Sequence, residues 1–500
     1  MLSLVKNGLT SCESGFGSNN GQGCRRNQAH LSAQGALTFV PLSTSASGIV
    51  DELDLLLTGG RLHAGSKAII MDAYTAAGGS GAVALKAAQQ LFVVANEFHA
   101  TNFPALEPTW RAVPPAGVYN RRPYKAIVVF YLEGGADSFN MLVPHSGCSA
   151  AGKDLNAEYE NERGPAKIAK DDLLQIDVPP DAPFQPCTKF GLHPKLDYLR
   201  SIYTSGDAAF VSNIGQLIEN VDKQQFVDKT RRVPASLFAH NAARKGSFTL
   251  NPEVAAAKGV IGRLNEVLES GYTTKAYSLD GNQRILEGAL PANVLSPSRG
   301  AIQLQDDSVL SDLQKLTYRR SNSAFADTYG ALLESAISFS GQHGDVLENT
   351  NLVKSFPDTN TGRKLSQANA HPNAPAPTLI RTTRPSPNGP NPIRAIEYPS
   401  RARRPHSQVA RLVKAHEALE TERATFYIGM PGYDAHKDLE SSLSANLDEA
   451  DNALAAFVEE LRDAAMLDDV AIVSMSDFGR TLSSNGQGTD HGWGKSNPWR

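Results

Sequence analysis

The sequence predicts an α/β protein: a largely parallel sheet flanked by helices, preceded by a small helical module. Three observations carry that prediction. Ala126–Leu132 (AIVVFYL) is a nearly continuous apolar run, as expected of a strand buried on both faces. Val470–Met475 is a second such run, directly after a long amphipathic pattern. Between and before them, apolar residues recur at i, i+3 and i+4 spacings that specify helices. Helices alternating with buried strands imply a parallel sheet.

The chain of 500 residues carries 48 Lys+Arg against 52 Asp+Glu, a net charge of −4. That near-balance argues against a nucleic-acid partner, which would require a basic surplus. No apolar run approaches the roughly 18 residues of a membrane span. Hydrophobic content of 41%, with 29 Pro and 41 Gly, points to long loop segments.

Residues 1–48 are rich in Gly, Ser and Asn and read as an irregular tail. Residues 49–102 read as helical. Leu53, Leu55, Leu56 and Leu57 lead to a turn at Gly59–Leu62; Ala68, Ile69, Ile70 and Ala73 form one face, and Leu85, Ala88, Leu91 and Val94 another. Pro104, Pro108, Pro114 and Pro115 mark a linker over 103–124. From Lys125 the texture alternates: strand Ala126–Leu132, a short helix with Leu196, Leu199, Ile202 and Tyr203, and strand Ala208–Val211. A helix Val409–Glu422, a strand Thr425–Gly429, a long helix through Leu443, Leu447, Leu454, Phe457, Val458 and Leu461, and strand Val470–Met475 follow.

Residues 368–408 interrupt this order with nine prolines and six arginines against one acidic residue, Glu397. Joining Gln367 to Val409 would restore a continuous amphipathic helix, so the segment reads as a disordered insertion; a basic docking tail is the functional alternative. Cys12, Cys24, Cys148 and Cys187 show no zinc-like spacing. They read either as four free thiols or as two disulfides of an exported chain, with Cys148–Cys187 stapling one loop. The first residues carry no secretory signal pattern.

In parallel sheets, ligands bind beyond the carboxyl ends of the strands. Glu133-Gly134-Gly135-Ala136-Asp137-Ser138 follows the first strand; Gly432-Tyr433-Asp434-Ala435-His436 follows Thr425–Gly429. Ser476-Asp477-Phe478-Gly479-Arg480 follows Val470–Met475, and Gly488-Thr489-Asp490-His491-Gly492-Trp493-Gly494 lies beyond. Carboxylates and imidazoles converging from four loops suit a divalent metal such as zinc, manganese or calcium. Each piece also has a structural role open to it: Asp434 as a turn residue, His436 as an exposed loop histidine, Asp477 as a helix cap.

VVFYLEGGADSFNMLVP, GYDAH, SMSDFGRTLSSNG and GTDHGWG resemble the hallmark segments of the domain-of-unknown-function 1501 family, and LHPKLDYLRSIYTSGDAAFVSNIGQ and LFAHN its middle motifs. The resemblance runs from about Lys125 to the end, excluding the insertion, and implies an alkaline-phosphatase- and sulfatase-like fold over 125–500. LDLLLTGGRL and AAQQLFVVANEFHATN resemble the end of the domain-of-unknown-function 1800 family. The chain is accordingly expected to open inside a larger helical domain and to stop short of completing its sheet.

Carried over residue by residue, the resemblance makes Asp137, Asp434, His436, Asp477, Asp490 and His491 the expected metal ligands. Arg480 is expected to hold an anionic oxygen, with a surface salt bridge as its other reading. His240 is the candidate general acid. Two departures stand out: Phe478 occupies the place of a second metal-binding histidine, and Ala239 that of a serine in LFAHN. The nucleophile is therefore sought among Ser138, Ser212 and Ser236. The expected activity is metal-dependent hydrolysis of a phosphate or sulfate ester, on a small-molecule or polysaccharide substrate, in an exported protein. The rival is a binding or structural protein that kept the fold without turnover. A metal-free serine hydrolase is the weakest reading, because no GxSxG elbow occurs.

Overall fold

The computed structural model describes chiefly residues 38–100, 118–180, 185–212, 214–254, 256–289, 292–295, 307–317, 323–356 and 405–492, with short stretches before residue 38. The chain divides into two compact units. One is helical and comprises 1–116 and 302–345; the other holds the central sheet and comprises 117–301 and 346–500.

In the helical unit, helices Ala46–Thr58, Ala64–Ala76 and Gly81–Phe92 pack around Val50, Leu53, Ile70, Tyr74, Leu91 and Phe92. Leu313, Leu316 and Ile337, from two helices far downstream, complete that core. Ser45 caps the first helix by accepting the Gly48 N–H, and Gly59 at φ 67° ends it. Buried Asp54 ties the first two helices together, accepting the Leu62 N–H at 3.1 Å and pairing with Lys67 at 2.7 Å. Leu55 and Leu56 face outward, being 68% and 63% exposed, so only part of the leucine run is core. Before this unit's helices, Leu9–Cys12 pairs antiparallel with Gly15–Ser18 and Ala33–Gly35, where an irregular tail was expected.

The second unit is built on a five-stranded, fully parallel sheet. Its strands are β1 (Lys125–Glu133), β2 (Thr274–Ser278), β3 (Asn293–Val294), β4 (Arg423–Pro431) and β5 (Val470–Ser476), in the order β3-β2-β4-β1-β5. Helices α1 (Leu155–Arg163), α2 (Asp197–Thr204), α3 (His240–Thr249), α4 (Val260–Leu268), α5 (Pro405–Lys414) and α6 (Leu439–Asp463) accompany it. On one face Val129, Tyr131 and Tyr427 pack against Phe248, Ile285 and Leu286. On the other, Phe130 meets His406 and Phe457.

Two expected elements change. Ala208–Val211 forms no strand; Val211 is 68% exposed, and the sheet position is taken instead by Thr274–Ser278, whose polar start hid it. The helix before β4 runs Pro405–Lys414 rather than Val409–Glu422. A proline fits the first helical position because its missing N–H has no partner there anyway. His406 and Ser407, counted with the insertion in the sequence reading, are thus buried and helical; residues 357–404 and most of the linker lie outside the described residues. Cys148 and Cys187 form a disulfide across 39 residues, while the side chains of Cys12 and Cys24 lie outside what the structure describes.

Buried His406 has a measurable consequence. Its Nε2 has no hydrogen-bond partner, and burial pushes its pKa down to about 3. A histidine whose folded pKa lies below its unfolded value stabilises the fold above pH 6.5 and loses that contribution as pH falls towards 3. The expected loss between pH 7 and pH 5 is roughly 2 kcal/mol. Urea unfolding at both pH values should show it, and His406→Leu should remove about that increment of acid sensitivity. An unchanged pH dependence in the variant would refute the account.

Candidate metal centre

The carboxyl ends of β1, β4 and β5 bring three loops together. Gly134 (φ 118°) and Gly135 (φ 81°) let the chain leave β1 without colliding with its neighbours. A Cβ on Gly134 would lie 2.5 Å from the Asp434 backbone nitrogen, and one on Gly135 2.4 Å from the Phe478 ring. The loop after β4 presents Asp434 and His436, and α3 begins with His240. The backbone at His491 bridges to Arg480, returning the last loop to the same edge.

Asp434 is the hub. His436 Nε2 lies 3.1 Å from its Oδ1, His491 Nε2 3.3 Å from the same oxygen, and His240 Nε2 3.5 Å from Oδ2. His240, Asp434 and His491 offer ligand atoms all within 4.8 Å of one another. Each imidazole is anchored through its other nitrogen. His240 Nδ1 lies 2.7 Å from Asp477 Oδ2, His491 Nδ1 2.7 Å from the Phe238 carbonyl, and His436 Nδ1 3.0 Å from Asp490 Oδ1. Carboxylate and carbonyl oxygens only accept, so each Nδ1 donates, and Nε2 is the nitrogen of each ring turned towards Asp434. His436 Nε2 and His491 Nε2 are 2.9 Å apart. Two lone pairs at that distance repel unless a cation or a shared proton lies between them.

Imidazoles held by oxygen acceptors at Nδ1 and converging through Nε2 are the arrangement that orients metal ligands. Tetrahedral zinc–nitrogen bonds of about 2.0–2.1 Å place neighbouring ligand atoms about 3.3 Å apart. The 2.9–3.3 Å separations among His436 Nε2, His491 Nε2 and Asp434 Oδ1 fit that geometry, while His240 Nε2 approaches the other oxygen, Oδ2, at 3.5 Å. Asp434 is 46% exposed on its side chain and open to a ligand. Burial works against its charge, but the Arg480 hydrogen bond and charge, with His240 and His436, hold its pKa below the usual carboxylate range.

The other expected ligands stand elsewhere. Asp477 is fully buried; Tyr131 Oη donates to its Oδ1 at 2.5 Å, and Gly134 N and His240 reach Oδ2, so it supports the cluster from behind. Asp490 stands behind His436 and also accepts from Asn485 at 3.1 Å; hydrogen bonds from His436 and Asn485 lower its pKa. Asp137 is turned away: Arg163 donates to both its oxygens, and Phe139 N and Thr489 Oγ1 take the remaining lone pairs. A carboxylate saturated by a buried guanidinium has no oxygen left for a metal.

Arg480 also departs from expectation. It is 1% exposed, so it is no surface side chain, and its donors are taken up within the protein. Its Nε donates to Gly135 O, Nη1 to Thr489 O, and Nη2 to Gly134 O, Tyr433 O and Asp434. It rivets the three loops. His240, read as a general acid, instead turns Nε2 towards Asp434. Ser138 opens the four-residue helix capped by Asp137, and among the described residues its hydroxyl bonds to none of the cluster. Ser212 and Ser236 are exposed, the latter at φ 52°.

Four residues escaped the sequence reading. Glu133, the last residue of β1, faces Asp280, just beyond β2. Burial raises its pKa to about 7, Arg244 opposing and Asp280 adding to the rise. Arg244 lies one turn after His240 on α3, a spacing that could have flagged it. Arg163 carried no signal, since only the fold brings α1 to the loop after β1.

The fold and this cluster define an α/β protein with a histidine–carboxylate centre at the carboxyl edge of its sheet. The chain belongs to the family described as "Protein of unknown function (DUF1501)", whose family model matches residues 124–497. No curated protein and no solved structure matches it. Among the described residues, no helix is long and apolar enough to cross a membrane.

Proposed function

We propose that the protein is a metal-dependent hydrolase of phosphate or sulfate esters, with the cation held by His240, Asp434, His436 and His491. The observation that carries the reading is the set of three imidazoles, each fixed at Nδ1 and converging on Asp434 through Nε2. Zinc or manganese suits this nitrogen-rich set better than calcium, which prefers oxygen ligands. Bound there, a divalent ion would polarise an ester oxygen and acidify a water. The chain's part is to hold the imidazoles in one tautomer, keep Asp434 ionised and shield the rear of the site with Phe478, whose ring lies 4.4 Å from that of His491.

The resemblance to alkaline phosphatases and sulfatases supports the ester class. A small-molecule or polysaccharide ester is the proposed substrate. The Cys148–Cys187 disulfide suits maturation in an oxidising compartment.

Metal analysis of the purified protein should find one zinc or manganese per chain, lost in Asp434→Ala and His491→Ala. Those variants should also lose at least about a hundredfold in hydrolysis of aryl phosphates or sulfates. Wild-type protein that takes up no divalent ion would end this proposal. Stoichiometric metal without hydrolysis would favour a binding protein, a reading to which the lack of a serine hydroxyl hydrogen-bonded to the cluster among the described residues lends weight.

A further inference from the structure

We propose that Arg244 is the anion-binding residue of this centre and holds the sulfuryl or phosphoryl oxygens of its ligand. His240 and Arg244 stand at i and i+4 on α3, so both side chains leave the same helix face. Both address one carboxylate: His240 Nδ1 lies 2.7 Å from Asp477 Oδ2, and Arg244 Nε 3.6 Å from Asp477 Oδ1. The guanidinium and the converging imidazoles are therefore neighbours across Asp477.

The guanidinium lies between the Glu133 and Asp477 carboxylates, but its hydrogen-bond donors are unspent. Its Nη1 is 3.6 Å from Glu133 Oε1, too far for a hydrogen bond, as is the Asp477 approach. Among the described residues no hydrogen bond uses any of its five N–H groups, and buried Nε has no partner. Tyr131 supports it from one side, with the ring 5.3 Å from the guanidinium carbon, and the side chain stays 31% exposed. Burial and Asp280 hold Glu133 up at about 7 against the pull of Arg244, which weakens its claim on that charge at neutral pH.

Arg480 gives the contrast: every one of its donor nitrogens is used within the protein. A planar fork with free donors matches a tetrahedral oxyanion, accepting two parallel hydrogen bonds. Here the fork shares Asp477 with His240, whose Nε2 joins the converging imidazoles.

Inorganic phosphate and sulfate are the probes, titrated by calorimetry into metal-loaded wild type, Arg244→Gln and Arg244→Lys, after metal binding has been measured for each. Wild type should bind at least one of the two anions, and comparison of the two titrations separates phosphate from sulfate chemistry. Arg244→Gln should keep its metal affinity and weaken anion binding about tenfold or more. Arg244→Lys should recover part of the loss, having the charge but not the fork. Equal anion affinity in wild type and Arg244→Gln would overturn the proposal, as would wild-type binding of neither anion. Only the ester's identity rests on the hydrolase reading. If wild type takes up no metal yet its phosphate binding still depends on Arg244, that reading falls and the anion seat stands.

Discussion

Arg480→Met is expected to cost about 3–5 kcal/mol of stability and to abolish divalent-ion uptake. The side chain is buried and serves four backbone carbonyls, those of Gly134, Gly135, Tyr433 and Thr489. Methionine fills the space but leaves them without donors, at about 1–3 kcal/mol for each one that water cannot reach. The Asp434 contribution is smaller, since that carboxylate is 46% exposed and partly screened. The carbonyls belong to the loops after β1 and β4 and to the one carrying His491, so their common tie disappears with the guanidinium. Arg480→Lys should restore less than half the loss, because an ammonium cannot reach carbonyls arranged around a plane. Urea unfolding and calorimetric metal titration give the two readouts. Wild-type stability in Arg480→Met would refute the rivet assignment.

Arg163→Met is expected to be comparably damaging, at about 3–5 kcal/mol, because it strands the Asp137 carboxylate in the interior. The two side chains are 0% and 1% exposed, so solvent cannot compensate. Adding Asp137→Asn to Arg163→Met should recover part of the loss, with a coupling of about 0.5–3 kcal/mol in the double-mutant cycle. The sequence reading placed Asp137 among the metal ligands, and the structure makes it the partner of Arg163. Metal affinity therefore separates the two roles: the double variant should bind zinc or manganese like wild type, whereas loss of a true ligand should weaken binding by at least about tenfold. A tenfold loss would restore Asp137 to the metal site.

The strands legible in the sequence were those written as continuous apolar runs. β1 and β4 announce themselves because a central strand must be apolar throughout. β5 carries the same apolar run at the sheet edge with Val473 46% exposed, so its expected burial on both faces is not met. β2 was missed because Thr274-Lys275 opens it and its burial is partial until Tyr277 and Ser278. Ala208–Val211 was misread because a short apolar run does not reveal whether a neighbour exists to pair with it. The start of α5 was placed four residues late, since proline was taken as loop chemistry rather than as a first helical residue.

The site divides along a similar line. Asp434, His436 and His491 could be listed from sequence because each sits in a loop beyond a predicted strand. Which carboxylates face the imidazoles and which face an arginine could not be read, because that depends on side chains more than 20 residues away. Arg163 claims Asp137 over 26 residues, and Tyr131 and His240 claim Asp477 over 346 and 237. Residue type and spacing alone thus determined the α/β class, the parallel sheet and the loops that carry the chemistry, through periodicity and the burial a central strand demands. Tertiary structure alone decided the roles: His240 joins the imidazoles, Arg480 becomes a rivet, and Arg244 keeps its donors free. The physical reason is that a charged group's role is fixed by which partner desolvates and pairs with it, and those partners arrive from elements distant in the chain.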